Sequence, residues 1–227
     1  MVAAIPGWLT GSGGTAYPSE PWHLEGTMYV SMWRMRTAEL PAICLPQGVR
    51  PARILGQALV GTAWAVYRPG GVLAYNEVLA AVRVHAGGHR FTTITHIWVD
   101  HPSSIAGARA LWDIPKQPAV FQVGAGVEGA DLEACAATVG GQPIAALRFR
   151  SRFALPGRWH LHTRIAQRPL DPGRAAELTI TRARALTSIH FGAAMWDFAP
   201  DGPLGFFNGR KPCVSVRLAG ISLRFGE

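Results

Sequence analysis

The sequence predicts a mainly β fold with few helices (α+β), its sheets mostly antiparallel, in a single domain spanning residues 1–227. Residues 1–26 read as an N-terminal arm. Three observations carry this. Runs rich in β-branched and aromatic residues recur between glycine- and proline-marked turns along most of the chain. Period-two alternation is clear in WHLHTRI (159–165) and LTITRARALTSI (178–189). One segment alone, SSIAGARALWDI (103–114), carries good helix boundary signals.

The first 26 residues are rich in Gly, Pro and Ser. TMYVSMWRM (27–35) follows as a strand, with the β-prone Tyr29, Val30 and Trp33. The apolar run at 54–67 is broken by Gly56 and Gly61 and contains a central strand, GTAWAVY. RPGG (68–71) is a turn. Strands are expected over 72–86 and 90–100, joined as a hairpin around Gly87 and Gly88. The helix over 103–114 would be capped by Asp100 or Ser103, with Pro102 near its start and Pro115 closing it. Six further strand segments follow: FQVGAGV, ACAATVGG, QPIAALRFRSRFAL, WHLHTRIAQRPL, AELTITRARALTSIHFGAAMW and CVSVRLAGISLRF. No internal repeat or second domain is visible.

Composition narrows the function. Apolar residues make up 48% of the chain and charged residues only 16%, a low charged fraction that a large core or a buried homo-oligomer interface would absorb. The formal charge of +8 raises a nucleic-acid partner. The arginines are scattered, however, with short alternating clusters only at 148–152 and 182–184, and no zinc-finger or helix-turn-helix pattern occurs. Cys44, Cys135 and Cys213 are an odd number and widely spaced, so no disulfide framework is read. No signal-peptide pattern opens the chain and no 18-residue apolar run crosses a membrane, so a cytoplasmic protein is expected. GSGG at 11–14 is no phosphate loop, and no Gly-x-Ser-x-Gly elbow is present. His160 and His162 share one strand face, but spacing supplies no third ligand, so no metal is expected. His96 and His101 flank the IWVD segment, and His190 reads as a satisfied semi-buried histidine rather than a pocket residue.

Lys116 stands out. The chain has 22 basic residues, and only Lys116 and Lys211 are lysines. Lys116 follows Pro115 just beyond the helix, among Trp112, Ile114, Pro118, Ala119 and Val120. A lysine amine is nucleophilic only when neutral, and burial favours the neutral form. Such a lysine can attack a carbonyl to form a Schiff base; its bland alternative is a surface charge satisfying the last helix carbonyls. Glu77 sits in an apolar strand, where a carboxylate is costly unless paired or functional. It is a candidate general acid or base, with Tyr75 close by in sequence.

The segment ITHIWVDHPSSIAGARALWDIPKQPAVF resembles the core motif of the acetoacetate decarboxylase superfamily, in which a strand, a helix and a Pro-Lys-Lys turn follow one another. The resemblance implies antiparallel sheets closed into a cone-like barrel around a pocket. It places the Schiff-base nucleophile on Lys116 and a family arginine on Arg109. AYNE (74–77) resembles the family's strand entry and places its glutamate on Glu77, 39 residues before the lysine. Departures are clear. The second turn lysine is Gln117, the family's other acidic residue falls on Thr62, a further arginine falls near Gly26, and the Gly-Arg-Glu element reads Ala108-Arg109-Ala110. The resemblance therefore implies a lyase acting on a β-keto acid or related carbonyl compound, with catalytic Lys116 and Glu77 and with Arg109, Tyr75, Trp112, Gln117 and Thr62 binding substrate, without cofactor. The lost charges suit an aldolase, dehydratase or cyclase acting on a larger polyketide-like carbonyl substrate as the alternative. A non-catalytic apolar-ligand-binding protein is the third reading.

Overall fold

The computed structural model describes residues 7–11, 13–40, 48–124, 131–174 and 178–227; Cys44 and the end of FQVGAGV (125–127) lie outside them. Fourteen strands and one α-helix run in the order β1 (Trp8–Thr10), β2 (Ala16–Pro18), β3 (Trp22–Met35), β4 (Arg50–Pro51), β5 (Arg53–Ile54), β6 (Gln57–Arg68), β7 (Asn76–Ala86), β8 (His89–Val99), α1 (Pro102–Trp112), β9 (Gln117–Gly124), β10 (Leu132–Thr138), β11 (Pro143–Ala154), β12 (Trp159–Gln167), β13 (Thr179–Asp197) and β14 (Val214–Phe225). The mainly β class is as the sequence predicts. No helix among the described residues is long and apolar enough to cross a membrane.

The strand pairing closes on itself. The hydrogen-bonded path runs β8–β9–β10–β11–β13–β14–β3–β6–β7 and returns to β8, a ring of nine strands, and β12 joins β13 to β8 across it. All pairs are antiparallel except β12–β8 and β8–β9. The long β13 makes this possible: its first half pairs with β12 and its second half with β11.

Strands β6 and β7 separate two apolar cores. Along β7, Val78, Ala80, Val82 and Val84 face one core with Trp33, Trp64 and Phe149, while Glu77, Leu79 and Ala81 alternate with them and face the other. A strand buried on both faces reads as a continuous apolar run, which is why VLAAV shows no alternation. The β7–β8 hairpin turns at Gly87 and Gly88 as expected. Both have positive φ, +53° and +76°, the left-handed pair that a two-residue primed turn requires and that glycine adopts without a Cβ penalty.

A bulge re-aims β8. Its register against β7 shifts between Ala80 and Ala81, leaving Thr95 unpaired, with its hydroxyl donating to Ala80 O (3.1 Å). The extra residue inverts the alternation, so Ile94 and Ile97 both reach the second core although they are three residues apart.

Three sequence expectations are corrected. Within the stretch read as an arm, β1 and β2 pair as a hairpin, and β3 begins at Trp22 rather than Thr27. Trp22 and Leu24 are core residues, because Trp22 and Tyr17 bury against the small inward face of α1; a Cβ on Gly107 would stand 2.5 Å from the Trp22 ring. The N-cap of α1 is His101, whose ring accepts from Ser103 N (3.2 Å). Asp100 instead accepts from Asn76 N (2.8 Å) and Nδ2 (2.7 Å), tying the start of β7 to the end of β8. Finally, β7 starts at Asn76, since 72–75 are occupied by the turn returning from Tyr67.

Candidate active site

The local backbone after α1 fixes the direction of Lys116. Asp113 takes the left-handed conformation (φ +54°) at the helix C-cap, a role glycine usually fills. Its carboxylate compensates by accepting from Leu170 N (3.0 Å) and Thr179 Oγ1 (2.6 Å). Ile114 N returns to Ala108 O (3.1 Å), and Lys116 N bonds to Ile114 O (2.8 Å) across Pro115, a three-residue turn. Arg109 Nε donates to Lys116 O (2.9 Å). Gln117 then enters the sheet opposite Trp98. The chain reverses within four residues, and the Lys116 side chain is driven inward.

There Lys116 is 5% exposed, as is Glu77. Its Nζ donates to Glu77 Oε2 (2.7 Å), Ser104 Oγ (3.0 Å) and Tyr75 Oη (3.1 Å). An ammonium has three N–H groups, and each finds an acceptor. The Tyr75 ring centroid lies 4.8 Å from Nζ. Glu77 reaches this point because it is on the inward parity of β7; Ser104 because it is on the inward face of α1, in the turn nearest its N-terminus. A buried ammonium and a buried carboxylate are each costly alone and tolerated as a hydrogen-bonded pair.

The pair opens into a cavity of about 290 Å³. Its walls are apolar, with Trp22, Met28, Leu79, Ile97, Trp112 and Phe225 among them. The side-chain polar groups of the lining are Glu77, Lys116, His162, Thr163, the two phenols and the two indoles. Tyr67 and Tyr75 pack ring to ring with centroids 4.8 Å apart. Burial, and then the charge of Glu77, pushes both phenols well above their ordinary 10, so both remain neutral hydrogen-bonding groups. Trp112 is held on edge between Trp22 and Phe225, and its Nε1 donates to Glu20 Oε2 (2.8 Å).

Of the residues singled out in the sequence, the structure brings Lys116, Glu77, Tyr75 and Trp112 together around this cavity. Three others it places elsewhere. Thr62 lies on the opposite face of β6 and accepts from Trp33 Nε1 (3.0 Å); strand parity turns it into the other core. Arg109 is exposed and holds the backbone of Lys116, not the cavity wall. Gln117 is exposed, because it follows the inward Lys116 in an extended chain. Gly26, near which a family arginine falls, has no room for a side chain: an added Cβ would overlap Val66 O.

Ser104, Tyr67, Met28 and Trp22 escaped the sequence reading. Ser104 had a usable signal: with Gly107 and Ala108 it forms the i, i+3, i+4 stripe of a helix whose inward face is small. Tyr67 and Trp22 gave none, since their approach depends on the Tyr67–Tyr75 turn and on the packing of the N-terminal segment. Among the described residues no group of three His, Cys, Asp or Glu side chains could hold a metal; His160 and His162 stack with centroids 6.5 Å apart.

Comparisons with known proteins agree with this architecture. No curated protein sequence matches. A solved acetoacetate decarboxylase superposes with a TM-score of 0.71 at 14% identity, covering 92% of this chain and 88% of its own. An acetoacetate decarboxylase from Legionella pneumophila superposes at 0.66 with 17% identity, covering 100% and 92%. The enduracididine biosynthesis enzyme MppR, complexed with the condensation product of pyruvate and imidazole 4-carboxaldehyde, superposes at 0.58 with 16% identity, covering 91% and 87%. At these identities the likeness is one of fold. The family model described as Acetoacetate decarboxylase (ADC) matches residues 4–182, most of the chain; this chain therefore belongs to the acetoacetate decarboxylase family.

Proposed function

We propose that this protein is a Schiff-base lyase acting on a carbonyl compound, with Lys116 as nucleophile and Glu77 as its proton partner. One observation carries the reading: the Lys116 amine, inside an apolar cavity, lies 2.7 Å from a carboxylate that can take its proton.

The steps balance as follows. Glu77 accepts a proton from Nζ, leaving a neutral amine with a free lone pair. The amine adds to the substrate carbonyl carbon, and the carbonyl oxygen ends as a hydroxyl. That hydroxyl leaves as water with the proton returned from Glu77, giving an iminium. Ser104 and Tyr75 remain as hydrogen-bond partners of the nitrogen. The iminium draws electrons from an adjacent bond: a β-carboxylate leaves as carbon dioxide, or Glu77 removes an α-proton, and either route gives an enamine. A general acid–base group in this position contributes roughly 10²–10⁴-fold. The apolar walls exclude water, which strengthens the pair's electrostatics and protects the imine from hydrolysis.

A second reading, aldol or dehydration chemistry on a larger carbonyl compound, keeps the same imine. The lining of the cavity favours it. Its one cation, Lys116, is already paired with Glu77, so a small keto acid would find no partner for its carboxylate beside the imine. MppR, bound to a condensation product of a keto acid and an aldehyde, supports the same branch.

Borohydride reduction in the presence of 3-oxo acids and larger ketones tests the shared step. A mass increase on the Lys116 peptide is expected; its absence under conditions of turnover refutes the mechanism. Stoichiometric carbon dioxide release across 3-oxo acids selects decarboxylation, and consumption of an added aldehyde without that release selects the second reading.

A further inference from the structure

Beside the cavity lies a cleft of about 400 Å³ whose walls carry Arg83, Arg90, Arg164, Arg182 and Arg184. His162, Thr163 and Ala183 line both spaces, so cleft and cavity adjoin along β12 and β13. Arg83 lies on the same face of β7 as Glu77 and Leu79, six residues on, which is about 20 Å along the strand. Its Nη1 donates to Thr92 Oγ1 (2.7 Å), which in turn meets Thr163 Oγ1 (3.3 Å) where β8 and β12 share a single bridge.

The charge in this cleft is uncompensated. Arg184 pairs with Glu227 (3.2 Å). Among the described residues, no carboxylate lies within salt-bridge distance of Arg83, Arg90, Arg164 or Arg182; Arg164 instead lies over the Phe91 ring, 4.7 Å from its centroid. Arg164 and Arg182 stand directly opposite each other on β12 and β13, an arrangement of like charges that costs stability. Partial burial and then the charge of Arg90 pull the Arg83 guanidinium below its ordinary value. A group that accepts two or more of these forks at once would relieve all three strains, and carboxylate and phosphate have the geometry to do so.

We propose that this cleft binds the terminal anion, carboxylate or phosphate monoester, of an elongated substrate whose chain fills the apolar cavity and whose carbonyl reaches Lys116. The last clause rests on the imine reading of Lys116; the anion site does not. The proposal also resolves a tension within the cavity. An anionic substrate finds no free cation beside the imine, yet finds four in the cleft. Substrates would then be selected by length: the chain must span the distance between the two ends.

Binding of dodecanoate, dodecyl phosphate and dodecanol, each followed by the fluorescence of the cavity tryptophans Trp22 and Trp112, tests the site. None of these probes has a ketone or aldehyde, so the result is independent of imine formation. Both anions are expected to bind at least about tenfold more tightly than the alcohol at 50 mM salt, with the gap narrowing at 500 mM as screening grows. Arg83→Gln with Arg182→Gln should close the gap, while Arg148→Gln, on β11 and paired with Glu133 away from the cleft, should leave it intact. Should the double variant fail to fold, Arg83→Lys with Arg182→Lys keeps the charge without the fork, and is expected to retain part of the gap. A tighter phosphate identifies a phosphorylated end and a tighter carboxylate a free acid. Equal affinity for alcohol and anions in the unmodified protein, a gap insensitive to salt, or a gap that survives both glutamines overturns the proposal.

Discussion

The cavity and the cleft that adjoins it use cations in opposite ways. At the inner end a single ammonium is buried, and its three hydrogens go to Glu77, Ser104 and Tyr75. In the cleft Arg184 pairs with Glu227, and the other four guanidiniums have no carboxylate within salt-bridge distance among the described residues. The difference is solvent. A buried charge must be paired, because its desolvation far exceeds what a lone hydrogen bond returns; the pairing then provides a route for a proton. A partly exposed charge keeps water on one side, so it can remain unpaired and available to a ligand. On the two proposals above, charge at the inner end serves chemistry and charge in the cleft serves binding.

The largest expected effect comes from Lys116→Met. Removal of the nucleophile should lower turnover by at least about 10⁴-fold and abolish reductive trapping, while dodecanoate still binds through the cleft. Loss of both functions together would collapse the distinction between the ends.

Next is Glu77→Gln, which keeps shape but removes the proton acceptor. Turnover should fall roughly 10²–10⁴-fold. An ammonium left buried with neutral partners should also cost about 3–5 kcal/mol of stability, read by denaturant unfolding. A variant as stable as the parent would show that the inner cation does not depend on its pair.

Alkaline titration probes the same dry end. The chain has four tyrosines, and Tyr67 and Tyr75 hold their protons well above the ordinary value of 10. The folded state therefore binds more protons than the unfolded state above pH 10, and stability must decline as pH rises from there. Ultraviolet titration should show these two phenols ionising only with unfolding. Ionisation of all four tyrosines in the folded protein near pH 10 would mean that water reaches the inner end.

Smaller changes separate positioning from chemistry. Arg109→Ala removes the donor to Lys116 O, a hydrogen bond worth about 0.5–1.5 kcal/mol; kcat should fall severalfold, and Arg109→Lys should restore part of it. Thr62→Val lies in the other core. Loss of the acceptor for Trp33 Nε1 should cost about 1–3 kcal/mol of stability, yet leave activity per folded molecule unchanged. A selective fall in kcat would return Thr62 to the site from which strand parity removes it.

The sequence singled out Lys116, a lysine after Pro115 among apolar residues, and Glu77, a carboxylate in an apolar strand, but it was the resemblance of the Pro115-Lys116-Gln117 turn and of AYNE to the family that gave the two their roles. Local rules also placed the Gly87–Gly88 turn and the helix. They failed at the helix cap, where Asp100 or Ser103 was expected and His101 serves; Asp100 is taken by Asn76 on a strand 24 residues earlier. Thr62, placed by the family resemblance rather than by a local rule, faces the other core, because residue type says nothing of which face of a doubly buried strand a side chain occupies.

By itself, then, the sequence determined the mainly β class, most strand positions and the two groups whose chemistry is out of place locally. Only the tertiary structure decided which face of each strand looks inward, that Ser104 and Tyr75 complete the partners of Lys116, and that the arginines which look scattered along the chain meet in one cleft. Local signals arise from a residue's conflict with its immediate neighbours. Arg83 and Arg182 conflict with nothing nearby; they converge because ring closure through β8, β12 and β13 joins strands about a hundred residues apart, and no short-range period records that closure.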